Sequence, residues 1–116
     1  VNVEDRSFPA TRHFPASFTV NDEIYQLRNF SRDRVRVLMS LDTSSVDLGD
    51  KRVHRTDKDF AITWVRPYGK GRVFSSTLGH EPAVWDRKDF QQMWLEAIKW
   101  AMGLTPGDAM PRPKIQ

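Results

Sequence analysis

Apolar and polar positions along the chain fall into three kinds of run. Residues 60–65 are almost continuously apolar, residues 72–77 mix β-branched, aromatic and hydroxyl side chains, and Gly69 and Gly71 sit between them. β-Branched and aromatic residues suit strands and glycines suit tight reversals, so the pattern predicts a hairpin. An unbroken apolar run further predicts a strand buried on both faces. Residues 35–41 alternate instead: Val35, Val37 and Met39 are expected on one face, Arg36, Leu38 and Ser40 on the other. Residues 1–4 read as a short strand, and residues 18–27 begin as an alternating segment. One long stretch has helical period. Phe90, Met93, Trp94, Ala97, Ile98 and Ala101 recur at that spacing and predict a helix over about 87–102. Asp86 is placed as its N-cap, Asp89 near the positive end of its dipole, and Gly103 as its stop.

The remaining stretches are connectors. Residues 5–15 carry two prolines and a possible helical turn near 10–13, and residues 29–33 form a turn. Residues 42–59 are polar and without period, too long for an ordinary connection, which predicts either a functional loop or a mobile one. Residues 105–116 hold three of the seven prolines and read as a tail. The expected domain therefore spans 1–104, with 105–116 outside it. One helix covers one face of a sheet, and a sheet buried on both faces needs cover on the other. The expected cover is an N-terminal half or a second copy of the chain, since residues 1–4 look like the inside of a strand rather than a beginning.

Composition narrows the function classes. Of 116 residues, 39% are apolar and 28% charged, which fits one globular domain with a core. The formal net charge is +3, with signs interspersed as in Arg32-Asp33-Arg34 and Asp86-Arg87-Lys88-Asp89. A nucleic-acid binder would cluster its cations, so no nucleic-acid partner is expected. There are no cysteines, which excludes disulfides, thiolate nucleophiles and cysteine metal sites. No apolar run approaches the roughly 18–20 residues of a membrane span, so no membrane partner is expected. No leader pattern is read, and cytoplasm and periplasm both stay open.

Chemistry-bearing residues gather at strand ends. His80 follows the second hairpin strand, and loops at strand ends carry the sites of α/β folds. An imidazole titrating near neutrality can pass a proton or bind a metal. Glu81 beside it can orient the ring or accept a proton. Asp22 and Glu23, adjacent in an alternating segment, are expected on opposite faces, with Glu23 and Tyr25 sharing one. Carboxylates with imidazoles form a donor set for a divalent metal such as zinc or manganese, although no strong metal-ligand spacing is present. His54 and Arg55 lie in the long loop, where they can close over a ligand. Trp85, just before the helix, is a candidate stacking platform. Gly69-Lys70-Gly71 joins two strands and opens no helix, so it is not a phosphate loop.

In combination these segments resemble the C-terminal half of ThuA-like domains, named for trehalose utilisation. The resemblance runs through Val3-Glu4-Asp5-Arg6, Asn21-Asp22-Glu23-Ile24-Tyr25-Gln26, Asp42–Leu48, Val53-His54-Arg55, Tyr68-Gly69-Lys70-Gly71-Arg72-Val73-Phe74 and Thr77-Leu78-Gly79-His80. It implies an α/β domain that is part of a flavodoxin-like fold similar to class I glutamine amidotransferases, with a mixed sheet and one main C-terminal helix. It implies a small sugar ligand, an oxidised (3-keto) disaccharide or glycoside, undergoing hydrolysis or isomerisation. His80 and Glu23 would then be catalytic, with Asp22, Tyr25, His54, Trp85 and Glu81 binding substrate. The other readings are a non-catalytic half-domain that self-associates and a sugar-binding regulatory module. Phe8-Pro9 stands where the family often has His-Pro.

Overall fold

The computed structural model describes residues 1–113; residues 114–116, the end of the expected tail, lie outside the described residues. The elements are β1 (Asn2–Val3), β2 (Arg36–Ser40), β3 (Ala61–Tyr68), β4 (Gly71–Ser76), a short helix α1 (Pro82–Trp85) and the long helix α2 (Lys88–Ala101). The strands form one sheet in the order β1-β2-β3-β4, and every neighbouring pair is antiparallel. The expected mixed sheet is thus corrected, among the described residues, to an antiparallel one. The reason is local: β3 and β4 form a hairpin, and every other neighbouring pair also runs antiparallel, with no crossover that would bring two strands in side by side.

The hairpin forms as its residues predict. Tyr68 pairs with Gly71, leaving a two-residue turn of Gly69 and Lys70, and Gly69 takes φ +56. Glycine reaches that conformation without the steric cost a Cβ would bring. Val65 faces Phe74 across the pair, and Trp64 faces Ser75. Burial on both sides of β3 is also as expected. Ile62 and Val65 join the main core cluster, while Ala61, with half-buried Trp64 beside it, belongs to a smaller one with Val35 and Val37.

In β2 the expected alternation breaks. Val37, Leu38 and Met39 are all fully buried, and Leu38 and Met39 join the same cluster. The register against β3 shifts on both sides of Met39. Such an irregularity re-aims side chains, so strict period two no longer applies beyond it.

Helix α2 packs on one sheet face through Phe90, Met93, Ala97 and Trp100. The stripe is rotated from the expected one: Trp100 is fully buried, whereas Ile98 is 53% exposed. Trp100 Nε1 donates to the Gly107 carbonyl at 3.0 Å, and the Arg72 guanidinium lies 5.5 Å over its ring. These contacts take the indole into the core at the helix end. Asp86 is not the N-cap. It ends α1 with helical φ and ψ, and extended Arg87 precedes α2 instead. The C-terminus does stop at Gly103, which takes φ +78. Gly103 N–H donates to Trp100 O and Leu104 N–H to Lys99 O, both at 2.9 Å, the paired bonds of a Schellman cap.

Residues 18–27 form no strand, which corrects the alternating segment expected there. The alternation itself survives in exposure. Asn21, Glu23 and Tyr25 are exposed, while Asp22, Ile24 and Gln26 are half-buried. Only its first residue is paired, Phe18 exchanging backbone hydrogen bonds with Val1 at 2.8 and 3.0 Å; residues 21–26 lie on the molecule without a backbone partner among the described residues. Opposite α2, the second sheet face is covered only in part. Phe30 packs near Trp64 and Val37, and a concavity of about 340 Å³ stays open beside Val35, Trp64 and Val73.

Candidate functional site

Past β4 the chain turns through buried Leu78 into Gly79, where φ is +111. A Cβ at that glycine would lie 3.1 Å from the Trp85 indole, so both conformation and space select glycine. Trp85 Nε1 donates to the Gly79 carbonyl at 2.9 Å. Its ring packs edge-on to Phe90 at 4.8 Å and is still 50% exposed. This braced turn delivers His80 to the surface.

Asp22 closes the turn from the other side. Its carboxylate accepts from Gly79 N–H at 2.6 Å, from Glu81 N–H at 3.0 Å and from Glu23 N–H at 3.0 Å. Partial burial pushes this carboxyl up, but the hydrogen bonds from Gly79, Glu81 and Glu23 outweigh it, and the group sits below its ordinary value. Asp22 therefore faces the protein. The opposite face of the segment carries Glu23 and Tyr25, as the alternation predicts.

Those two side chains meet His80. Glu23 Oε2 lies 3.2 Å from His80 Nδ1, and the Tyr25 hydroxyl lies 3.4 Å from the same nitrogen. Tyr25 is held above its ordinary value, chiefly because its hydroxyl donates to the Glu23 carboxylate. Glu23 thus gathers a phenol and an imidazole at one point. An Nδ1–H that donates to this carboxylate leaves Nε2 with the lone pair, the tautomer of a base.

A cleft of about 610 Å³ opens beside Asp22 and Glu23. Ile24, Leu41, Val46 and Phe60 form its apolar floor, and Asp47, Asp50 and Arg52 its rim. Arg52 is bound to Asp50 at 2.7 Å, which holds the Asp50 carboxyl far below its ordinary value. An apolar floor with a polar rim suits a ligand that has both faces.

The other expected residues are placed differently. Glu81 N–H goes to Asp22, and Glu23 rather than Glu81 stands against the imidazole. His54 is exposed and its backbone N–H donates to Gln26 Oε1; among the described residues it makes no hydrogen bond or ion pair with the Glu23–Tyr25–His80 group. Arg55 is taken up by Asp57, the Leu27 carbonyl and the Phe30 ring. Gln26 carries no chemical signal of its own in the sequence; the alternation that puts it on the same side as Asp22 and Ile24 is what points it inward, and the structure finds all three half-buried. For a metal, the donors here are one carboxylate and one imidazole with a phenol, and no group of three His, Asp or Glu is close enough among the described residues. A catalytic zinc takes three protein ligands. The donor set does not make up that number, and no step is derived through a metal.

An antiparallel α/β domain with a carboxylate-backed, exposed imidazole past a strand end, whose Glu23 also borders a cleft that His80 itself does not line, is the class these features define. Residues 1–101 match the family model ThuA, described as trehalose utilisation, and the chain belongs to that family. Its function at the family level is accordingly related to trehalose utilisation. Comparison with curated proteins finds none that matches, and comparison with solved structures finds none. No helix of the described residues is long and apolar enough to cross a membrane.

Proposed function

We propose that the chain carries the acid–base part of a site that acts on a 3-keto disaccharide or glycoside, by hydrolysis or isomerisation, within a flavodoxin-like domain. The observation that supports it is the convergence of Glu23 and Tyr25 on the same nitrogen of His80, at the turn after β4. A ketone acidifies the hydrogen on the neighbouring ring carbon. His80 Nε2 takes that proton, and Glu23 offsets the charge the imidazole gains. Tyr25, whose hydroxyl donates to Glu23, helps hold that carboxylate against the imidazole. Return of the proton to the other carbon of the enediolate isomerises the sugar. Expulsion of the glycosidic oxygen from the next carbon, followed by addition of water, cleaves it. Trp85, half exposed beside Gly79, offers a flat apolar face to a sugar ring.

Purified protein incubated with a 3-keto disaccharide in deuterium oxide tests this. Deuterium is expected at the carbon beside the ketone, and His80→Ala or Glu23→Gln should slow its uptake by about 10²–10⁴-fold. Equal rates in wild type and both variants would remove these residues from the chemistry. Stabilisation by the sugar with neither exchange nor product would make the domain a binding module instead.

A further inference from the structure

We propose that Gln26 is a positioning residue for Glu23, Tyr25 and His80, acting as one of two side-chain clasps that suspend the site. The inference rests on reading that constellation as the working site. An extended chain is ordinarily fixed by backbone hydrogen bonds to a neighbour. Among the described residues, none joins the backbone of 21–26 to another segment. The inward-facing side chains do that work. Asp22 anchors one end to the 79–81 turn.

Gln26 anchors the other end to the long loop, using both halves of its carboxamide. Nε2 donates to the Arg52 carbonyl at 2.7 Å. Oε1 accepts from His54 N–H at 2.7 Å and from Arg55 N–H at 3.2 Å. Only an amide offers donor and acceptor at this span; a carboxylate can accept from the two N–H groups but cannot donate to Arg52. Glu23 and Tyr25 project outward between the two clasps, and Tyr25 is the immediate neighbour of Gln26. The same carboxamide also holds the loop that walls the cleft beside Glu23. Release of this clasp frees the phenol from Glu23 and the loop from the cleft together, while the sheet stays intact.

The test reads position rather than turnover. In a Tyr68→Phe background Tyr25 is the sole tyrosine, and its phenol titration can be followed by ultraviolet absorbance. Gln26→Ala is expected to return that titration from its raised position toward the ordinary tyrosine range. Amide exchange at His54 and Arg55 should rise roughly fivefold, as one lost hydrogen bond implies, with β2 and β3 still protected. Gln26→Glu keeps the acceptor and should preserve protection at those two amides better than alanine does. Faster exchange at 54 and 55 with an unmoved Tyr25 titration would overturn the proposal, since the clasp would then be merely structural. If Gln26→Ala also strips protection from β2 and β3, Gln26→Glu decides, and an unmoved phenol there counts against the proposal. Glu23→Gln separates the two readings: it should lower the Tyr25 titration by itself, and its failure to do so would sink the constellation while leaving the loop clasp standing.

Discussion

Asp22 and Glu23 are neighbours with the same acidic chemistry, yet their surroundings give them opposite tasks. Asp22 spends its carboxylate on backbone N–H groups, and Glu23 leaves its own for the imidazole and the phenol. Replacing Asp22 by Asn keeps the shape but puts a donor where an acceptor is needed. One of the N–H groups of Gly79 or Glu81 then loses its partner, at a cost of about 1–2 kcal/mol. Urea denaturation at neutral pH measures it, and a loss below a few tenths would show that the turn is held by other means. The pH dependence has a definite sign. A carboxyl depressed in the fold stabilises it above the unfolded value of about 3.9, and that contribution disappears as pH falls through the lower folded value. The gap between wild type and Asp22→Asn should therefore narrow only in acid.

The elements follow from the sequence where local chemistry decides, and depart from it where tertiary contacts do. The β3–β4 hairpin and the Gly103 stop are readable because positive φ and strand-forming runs are local properties. The break in β2 is not, since a register shift depends on what β3 presents opposite Met39. Residues 18–27 mislead for a related reason. Their alternation is that of a paired strand, but it records only which side faces the molecule. That was still enough to put Glu23 and Tyr25 on one face. The approach of His80 to them, across more than fifty residues, has no local signal. Two glycines at element ends test this division. At Gly103 the space is open and only φ +78 opposes a side chain, so Gly103→Ala should cost about 1 kcal/mol. At Gly79 an alanine meets both φ +111 and the Trp85 ring, so Gly79→Ala should cost distinctly more. Equal midpoints in urea for the two variants would mean that the indole moves aside freely.

Across the whole molecule, segments far apart in sequence are tied by one buried cation. Arg32 donates to both oxygens of Glu4, at 2.7 and 2.9 Å, and to both oxygens of Asp59, each at 2.8 Å. Its side chain is only 8% exposed. It therefore joins the end of β1, the turn before β2 and the last residues of the long loop. Arg112 reaches the Glu4 carbonyl at 2.7 Å, and Arg36 bridges Asp5 and Asp108, so residues 105–113 are tied to the same place. Burial pushes the Glu4 carboxyl up, but hydrogen bonds and charge from Arg32 bring it below its ordinary value. Arg32→Ala would leave two carboxylates facing each other without their shared guanidinium, at a cost of about 3–5 kcal/mol. Arg32→Lys keeps the charge but cannot serve two carboxylates bidentately, and should lie between alanine and wild type. The same linkage sets the pH course: the Glu4 contribution is complete above about 4.3 and is lost as pH falls through its lower folded value. Denaturant unfolding should thus show the three proteins well separated at neutral pH and converging in acid. An alanine variant within 1 kcal/mol of wild type at neutral pH would place the stability of this junction in its apolar packing, with the ion pairs setting only its geometry.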